Sequence, residues 1–268
     1  MVRDVRDDLV NMPSHNPPPS GVSAMIAMTH RELIRLTRQP SRVAVAMVTP
    51  VVIWLMLAAG LSGTMQLGDG AGGYATYLAP GMASMVIVFT AIFAAMSLIE
   101  DADAGFLQSA LTSPTPRWSL VGAKILGPGG IGWVQAALLI PAVILIGAEV
   151  TAQGLILALL ALLLMSVGLT GLCLAMAWRI SSAQGFHGVM NIILMPMWVL
   201  SGSVMPLDGA AGWLRTIMLI NPLTWPTSAM RDALGMGASM DAAIGWPLSA
   251  GFAVFGVAAA AVVMRRPR

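Results

Sequence analysis

Glu100, Asp101 and Asp103 put three carboxylates within about one helical turn, the densest set of potential acid–base groups in the chain. Carboxylates can shuttle protons, but no histidine or recognisable nucleophile stands near these in sequence, so capping and coupling roles fit them better than hydrolysis. The parts for other chemistries are fewer. His15, His30 and His187 are the only histidines, and none has a partner at metal-ligand spacing, so neither a metal nor a haem site is expected. Cys173 is the single cysteine, which excludes a disulfide framework and reads as packing. No GxxxxGK[ST] run occurs, so this chain has no phosphate-cradling loop, and any nucleotide-driven work must come from another chain. Gln135, His187 and Asn191 are polar residues inside apolar stretches and read as interhelical hydrogen bonds, worth about 0.6 kcal/mol each.

The elements that hold these residues follow from composition. With 268 residues, 57% hydrophobic and only 10% charged, and a mean hydropathy of +0.81, the chain cannot cover an apolar core with a polar skin. Its solvent is a bilayer. Six charge-free intervals exceed the roughly 20 residues a crossing helix needs, which predicts spans over about 43–63, 78–99, 125–147, 155–177, 186–207 and 245–264. When six helices alternate sides, Arg3, Arg6, Arg31, Arg35, Arg38, Arg42, Arg117, Lys124, Arg179, Arg265, Arg266 and Arg268 fall on one side and only Arg215 and Arg231 on the other. The richer side is cytoplasmic, which puts both termini there. The net charge of +2 thus reports topology and does not suggest nucleic-acid binding. Span interiors without charge also disfavour a proton- or sodium-coupled carrier.

Residues 1–22, acidic and proline-rich, are expected to form a disordered cytoplasmic tail, and with the first apolar run beyond residue 40 a cleavable leader is not expected. From Ser23 to Arg38, Met25, Ile26, Leu33, Ile34 and Leu36 interleave with His30, Arg31, Glu32 and Arg35 at helical spacing, which predicts an amphipathic helix on the inner leaflet ended by Pro40. Outer loops are short: a glycine-rich connector around Asp69 and a tight turn over 147–154. The informative cytoplasmic loop is 100–124. There Phe106 to Leu111 forms a short helix, apolar on one side, before Pro114 and Pro116; Phe106, Leu107 and Leu111 need a surface to cover them. After the fifth span, Pro206, Pro222, Pro226, Trp213 and Trp225 predict two short re-entrant helices, 211–220 and 224–234, dipping into the outer leaflet and broken at Asn221-Pro222.

Two motifs in order carry a family likeness. Glu100, Gly105, Leu111, Ser113, Pro114, Arg117, Gly122 and Lys124 match an E...G...L.SP..R....GK pattern, and Ser201-Gly202, Pro206, Asn221-Pro222-Leu223 and Arg231 match SG..(F/M)P...NPL....LR. With the basic helix ending in Arg38-Gln39-Pro40 and six spans, the chain resembles the permease subunits of type 2 ABC exporters from residue 23 onward, which makes 23–268 one transmembrane domain. The resemblance implies a second permease subunit as homodimer partner and two ABC ATPase subunits that bind ATP and Mg, with no cofactor and no enzymatic activity expected of this chain. It implies a connecting helix carrying Arg31, Glu32, Arg35 and Arg38, and an ATPase-coupling loop with Glu100, Gly105, Phe106, Leu107, Leu111, Pro114 and Arg117. It also implies an outer re-entrant gate with Pro206, Asn221, Pro222 and Arg231. The expected function is ATP-driven export of a hydrophobic or amphipathic substrate (drug, lipid or lipid-linked glycan) across the inner membrane by alternating access.

Two other readings use the same residues. One is a membrane scaffold or assembly factor that docks a different cytoplasmic partner on the 100–124 loop. The other, a membrane-embedded enzyme acting on lipid, lacks a nucleophile beside its carboxylates.

Overall fold

A computed structural model describes residues 20–61, 73–113, 115–145, 150–180 and 182–265. The expected disordered tail, except for its last residues, the connector around Asp69, Pro114, the start of the 147–154 turn and the side chain of Leu111 lie outside the described residues. Among the described residues there are helices and no strands. They are α1 (Gly21–Thr37), α2 (Pro40–Leu61), α3 (Gly73–Asp103), α4 (Phe106–Thr112), α5 (Arg117–Leu145, interrupted after Ala137), α6 (Ala152–Arg179), α7 (Ala183–Ser203), α8 (Gly212–Ile220), α9 (Thr224–Ala233) and α10 (Ala242–Val263). Six of them, α2, α3, α5, α6, α7 and α10, are long and apolar enough to cross a membrane.

Local chemistry sets the helix starts. Ser20, Thr151, Ser182 and Asp241 each cap a first turn by accepting a backbone N–H, from Ser23, Gly154, Gly185 and Ala243 respectively. Pro40 stands at the first position of α2, where its missing N–H costs nothing. It therefore opens the second helix as well as following the end of the first.

α3 is the central helix, with Leu78, Met82, Val86, Ile87, Val88, Ala91 and Leu98 all fully buried. α2, α5 and α6 surround it, and α10 packs on the far side of α6. The α6–α10 crossing depends on small residues: a Cβ on Gly256 would sit 2.1 Å from the Gly168 carbonyl oxygen. In lipid, where water cannot drive helices together, such close backbone approach supplies the packing attraction. Side-chain hydrogen bonds join the same helices. Trp54 Nε1 donates to Ala75 O at 2.8 Å, Thr90 Oγ1 to Gln135 Oε1 at 3.2 Å, Gln135 Nε2 to Val43 O at 3.2 Å, and Ser166 Oγ to Gly129 O at 2.7 Å. Gln135 thus makes the interhelical bonds expected of it. His187 and Asn191 do not: both are exposed on the outside of α7.

Helix boundaries differ from the charge-free intervals in one direction. α3 continues to Asp103, α5 begins at Arg117 and α6 ends at Arg179, because charged residues here are folded into the helices. α7 is the exception and stops early. It contains two π-helical segments, Met190–Leu194 and Val199–Ser203, and ends at Gly202, whose φ of 77° lies in the left-handed region natural to glycine.

Candidate functional site

The basic end of the bundle is organised around Lys124. α5 presents this residue on the same face as Leu120 and Gly127, toward α1, and Gly127 lets α1 approach: a Cβ there would lie 2.8 Å from Glu32 Cβ. Lys124 Nζ lies 2.9 Å from Glu32 Oε1 and also pairs with Asp101 Oδ2. All three side chains are at most 4% exposed. Around this buried core sits a wetter ring. Arg35 bridges Asp101 at 2.6 Å and Glu100 at 2.7 Å, Arg42 pairs with Glu100, and Arg31 reaches Glu32 at 3.1 Å and Asp101 at 3.4 Å. Four cations (Arg31, Arg35, Arg42, Lys124) therefore meet three carboxylates (Glu32, Glu100, Asp101), leaving one positive charge in excess.

This network joins α1, α2, α3 and α5, and it reaches α4 through one contact. The Arg31 guanidinium carbon sits 3.5 Å from the centroid of the Phe106 ring, a cation–π pair. Gly105, with φ 75°, makes the turn from α3 into α4, and Leu107 is 2% exposed. The expected docking face is thus corrected at two residues. Leu107 faces the chain's own core because Gly105 turns α4 back onto α3, and Phe106 is partly covered by Arg31. Gln108, Ser109 and Thr112 form the exposed side of α4. Arg117 donates to the Arg265 carbonyl, tying the start of α5 to the end of α10.

Of the four α1 residues expected to act together, Arg31, Glu32 and Arg35 join the network. Arg38 does not: it is the exposed residue that ends α1 and makes no ion pair among the described residues. Glu32 turns inward against α5 while Ile26, Leu33 and Ile34 stay exposed, so α1 is held by the bundle on one side only. Sequence reasoning gave Asp101 a capping or coupling role and counted Lys124 in a motif, but it named no partner for either and placed Arg42 only among the basic residues of one side. The phase of Lys124 relative to Leu120 and Gly127 was a usable signal; the partners of Asp101 and Arg42 were not, since they lie far away in sequence.

The opposite end holds a second polar cluster around the broken end of α7. The Gly202 carbonyl accepts from Tyr77 Oη at 2.7 Å and from Arg231 Nη2 at 2.9 Å, and Tyr74 Oη donates to Val204 O at 2.9 Å. These bonds satisfy carbonyls that the interrupted helix leaves open. Trp198 Nε1 donates to Gly81 O, and the hydroxyls of Ser84, Ser203 and Ser201 form a buried chain. Arg231 is 1% exposed, lies 3.8 Å from the Tyr77 ring centroid, and has Nε and Nη1 without a hydrogen-bond partner among the described residues. Burial pulls its pKa down from the usual arginine value, although a guanidinium still keeps its charge.

Asn221, between α8 and α9, donates to the Met197 carbonyl and accepts from the Leu223 N–H at 3.1 Å, pinning the corner to α7. Of the expected gate residues, Arg231 and Asn221 therefore both grip α7. Pro222 instead lines an apolar cavity of about 430 Å³ with Trp225, Phe252 and Phe255, and Pro206 is half-buried in the loop after α7. The two helices after α7 fall at Gly212–Ile220 and Thr224–Ala233, close to the ranges expected.

Neither cluster contains a nucleophile–base pair, and among the described residues no group of His, Cys, Asp and Glu could hold a metal ion. The paired charges tie four helices together at this end. The model of the ABC-2 type transporter family matches residues 23–234. The chain is 23% identical over 218 residues to ycf38 of Cyanophora paradoxa, described as a transport permease, covering 78% of this chain and 73% of that one. It is 24% identical to ycf38 of Porphyra purpurea, covering 76% and 72%. It is also 26% identical to YbhR of Escherichia coli K12, described as a multidrug ABC transporter permease, over 72% of this chain and 53% of that one. With both motif-bearing ends built from intramembrane and membrane-edge packing and the family match running through them, the chain belongs to the ABC-2 type transporter family.

Proposed function

We propose that this chain is the permease subunit of an ATP-driven exporter of the inner membrane, its basic end cytoplasmic and its α8–α9 corner dipping into the outer leaflet. A separate ATPase, two copies per complex, binds ATP and Mg and docks below α4. The observation that carries this reading is the attachment of α4. A seven-residue helix hangs from α3 through Gly105, has Leu107 buried in the bundle, and is clamped to α1 by Arg31 over Phe106. A push on its exposed face must move α1, α3 and α5 together, because breaking the buried Lys124 pairs costs about 3–5 kcal/mol. ATP binding would favour one arrangement of the bundle by its differential affinity, and the spans would follow as a unit. The hydrophobic or amphipathic nature of the cargo is supported by the apolar walls of the bundle and by what is said of YbhR, a multidrug permease.

Pairing with a second copy has its own support. His187 and Asn191 are exposed on α7 beside Ile192 and Ile193, in a helix that crosses the bilayer, where lipid offers them no hydrogen bond. A second permease would.

The test is purification of the full chain from detergent, with the co-purifying ATPase measured. Gln108→Arg together with Ser109→Arg, on the exposed face of α4, should release the ATPase while the chain keeps its elution profile. Retention of ATPase by that variant, with unchanged turnover, would remove α4 as the docking element and favour a scaffold role. Phe106→Asp is a poorer probe, since the new carboxylate would pair with Arg31.

A further inference from the structure

The elbow between α1 and α2 carries an arrangement that the transport reading leaves unused. Leu36 at the end of α1, Pro40, Val43, Ala44 and Met47 on the first turns of α2, and Ile131 on α5 line an apolar groove of about 510 Å³. That volume falls in the range of about 300–1,000 Å³ typical of ligand pockets. Its lining is almost wholly carbon, and the exposed Val45 and Val48 continue the same apolar surface along α2. In the chain between two of its lining residues, Leu36 and Pro40, stands Arg38, exposed and without an ion pair among the described residues. Beside it lies the network described above, which holds one positive charge in excess even after all its carboxylates are counted. The acids Glu100 and Asp101 are engaged by Arg35, Arg42 and Lys124, and among the described residues neither pairs with Arg38.

We propose that this elbow binds an anionic phospholipid of the leaflet at the basic end, with one acyl chain in the groove and the phosphate on Arg38. Charge complementarity selects the anionic headgroup. Basic residues next to a spanning helix contribute about 1 kcal/mol each toward such lipids, and a pocket between helices adds chain burial to that attraction. The site joins α1 to α2 at the point where the amphipathic helix turns into the bilayer, so an occupied groove holds the angle between them. The inference does not depend on what the protein transports.

The experiment is native mass spectrometry of the full chain released from vesicles of phosphatidylcholine, alone or mixed in equal parts with phosphatidylglycerol. One phosphatidylglycerol per chain should be retained in preference to phosphatidylcholine. Arg38→Gln, at an exposed residue with no ion pair among the described residues, should weaken that preference about fivefold, and Arg38→Lys should restore most of it. Ala44→Trp, which fills the groove from an exposed position, should remove the lipid without changing the subunit mass distribution. Equal retention of the two lipids, or an Arg38→Gln variant that behaves as the parent, would overturn the proposal. So would loss of dimers on Ala44→Trp, since the groove would then seat a second copy of the chain.

Discussion

Replacing Lys124 with methionine removes a charge from between Glu32 and Asp101 while keeping the length of the side chain. The two carboxylates are not left equally exposed to the loss. Asp101 keeps Arg35 at 2.6 Å, whereas Glu32 loses its 2.9 Å partner and retains only Arg31 at 3.1 Å, an arginine that is 39% exposed and also serves Asp101. The cost therefore falls on Glu32, a carboxylate 3% exposed. Breaking one side of such a pair destabilises by about 3–5 kcal/mol, and the surviving contact with Arg31 puts Lys124→Met near the lower figure. For a chain of this size that corresponds to a melting temperature lower by about 6–12 °C. The double variant Lys124→Met with Glu32→Met removes both ends of the pair and should regain most of the loss, because apolar replacement of a buried ion pair is often neutral. Thermal unfolding in detergent, followed by tryptophan fluorescence or by loss of the monodisperse peak, measures all four corners of this cycle. A double variant less stable than Lys124→Met alone would refute the assignment of the cost to a stranded Glu32.

At the other end, Arg231→Met should leave thermal stability unchanged or raise it, since a desolvated guanidinium with two unpaired nitrogens costs several kcal/mol against one hydrogen bond and one ring contact; a clear fall in melting temperature would show that its grip on Gly202 outweighs desolvation. Gly256→Leu should block the α6–α10 crossing, because the Cβ alone meets the Gly168 carbonyl, and is expected to abolish the monodisperse peak in size-exclusion chromatography. Asn191→Cys should cross-link between copies with a short bifunctional thiol reagent, with little background from Cys173, which is 0% exposed; absence of cross-linking in membranes would argue against pairing through α7.

The six spans were legible because hydropathy over some twenty residues needs no tertiary information. Their ends were not, and at the start of α2, the end of α3 and the start of α5 one reason recurs. A charged residue was read as the point where water begins, yet Arg42, Glu100, Asp101 and Lys124 are paired with one another, so the helices carry them onward into packed structure. Charge marks the edge of the bilayer only where the charge is solvated. The early stop of α7 had the opposite cause: the stretch to residue 207 is apolar enough to continue, but the left-handed Gly202 and the donors on its carbonyl end the helix from outside. Spacing within one helix predicted an amphipathic α1 with Arg31, Glu32 and Arg35 among its polar residues. It could not predict that their partners would come from the end of α3 and the start of α5, or that Arg38 would make no ion pair among the described residues.

That last distinction separates the two basic surfaces of the molecule. Arg35 and Arg38 are three residues apart on one helix and look equivalent in a list of basic residues near a membrane. One has given its charge to the interior, where it helps fix α1 to α3, and the other is exposed in the chain between Leu36 and Pro40, two residues that line an apolar groove. Arg35→Gln should therefore loosen the bundle and lower the melting temperature by more than the roughly 0–1 kcal/mol of an exposed ion pair, because it leaves Asp101 underpaired. Arg38→Gln should leave that temperature unchanged in detergent, where no anionic lipid is present. Equal effects of the two substitutions on thermal stability would mean that Arg38 has a partner within the bundle, and the separation of structural from lipid-facing charge at the elbow would fail.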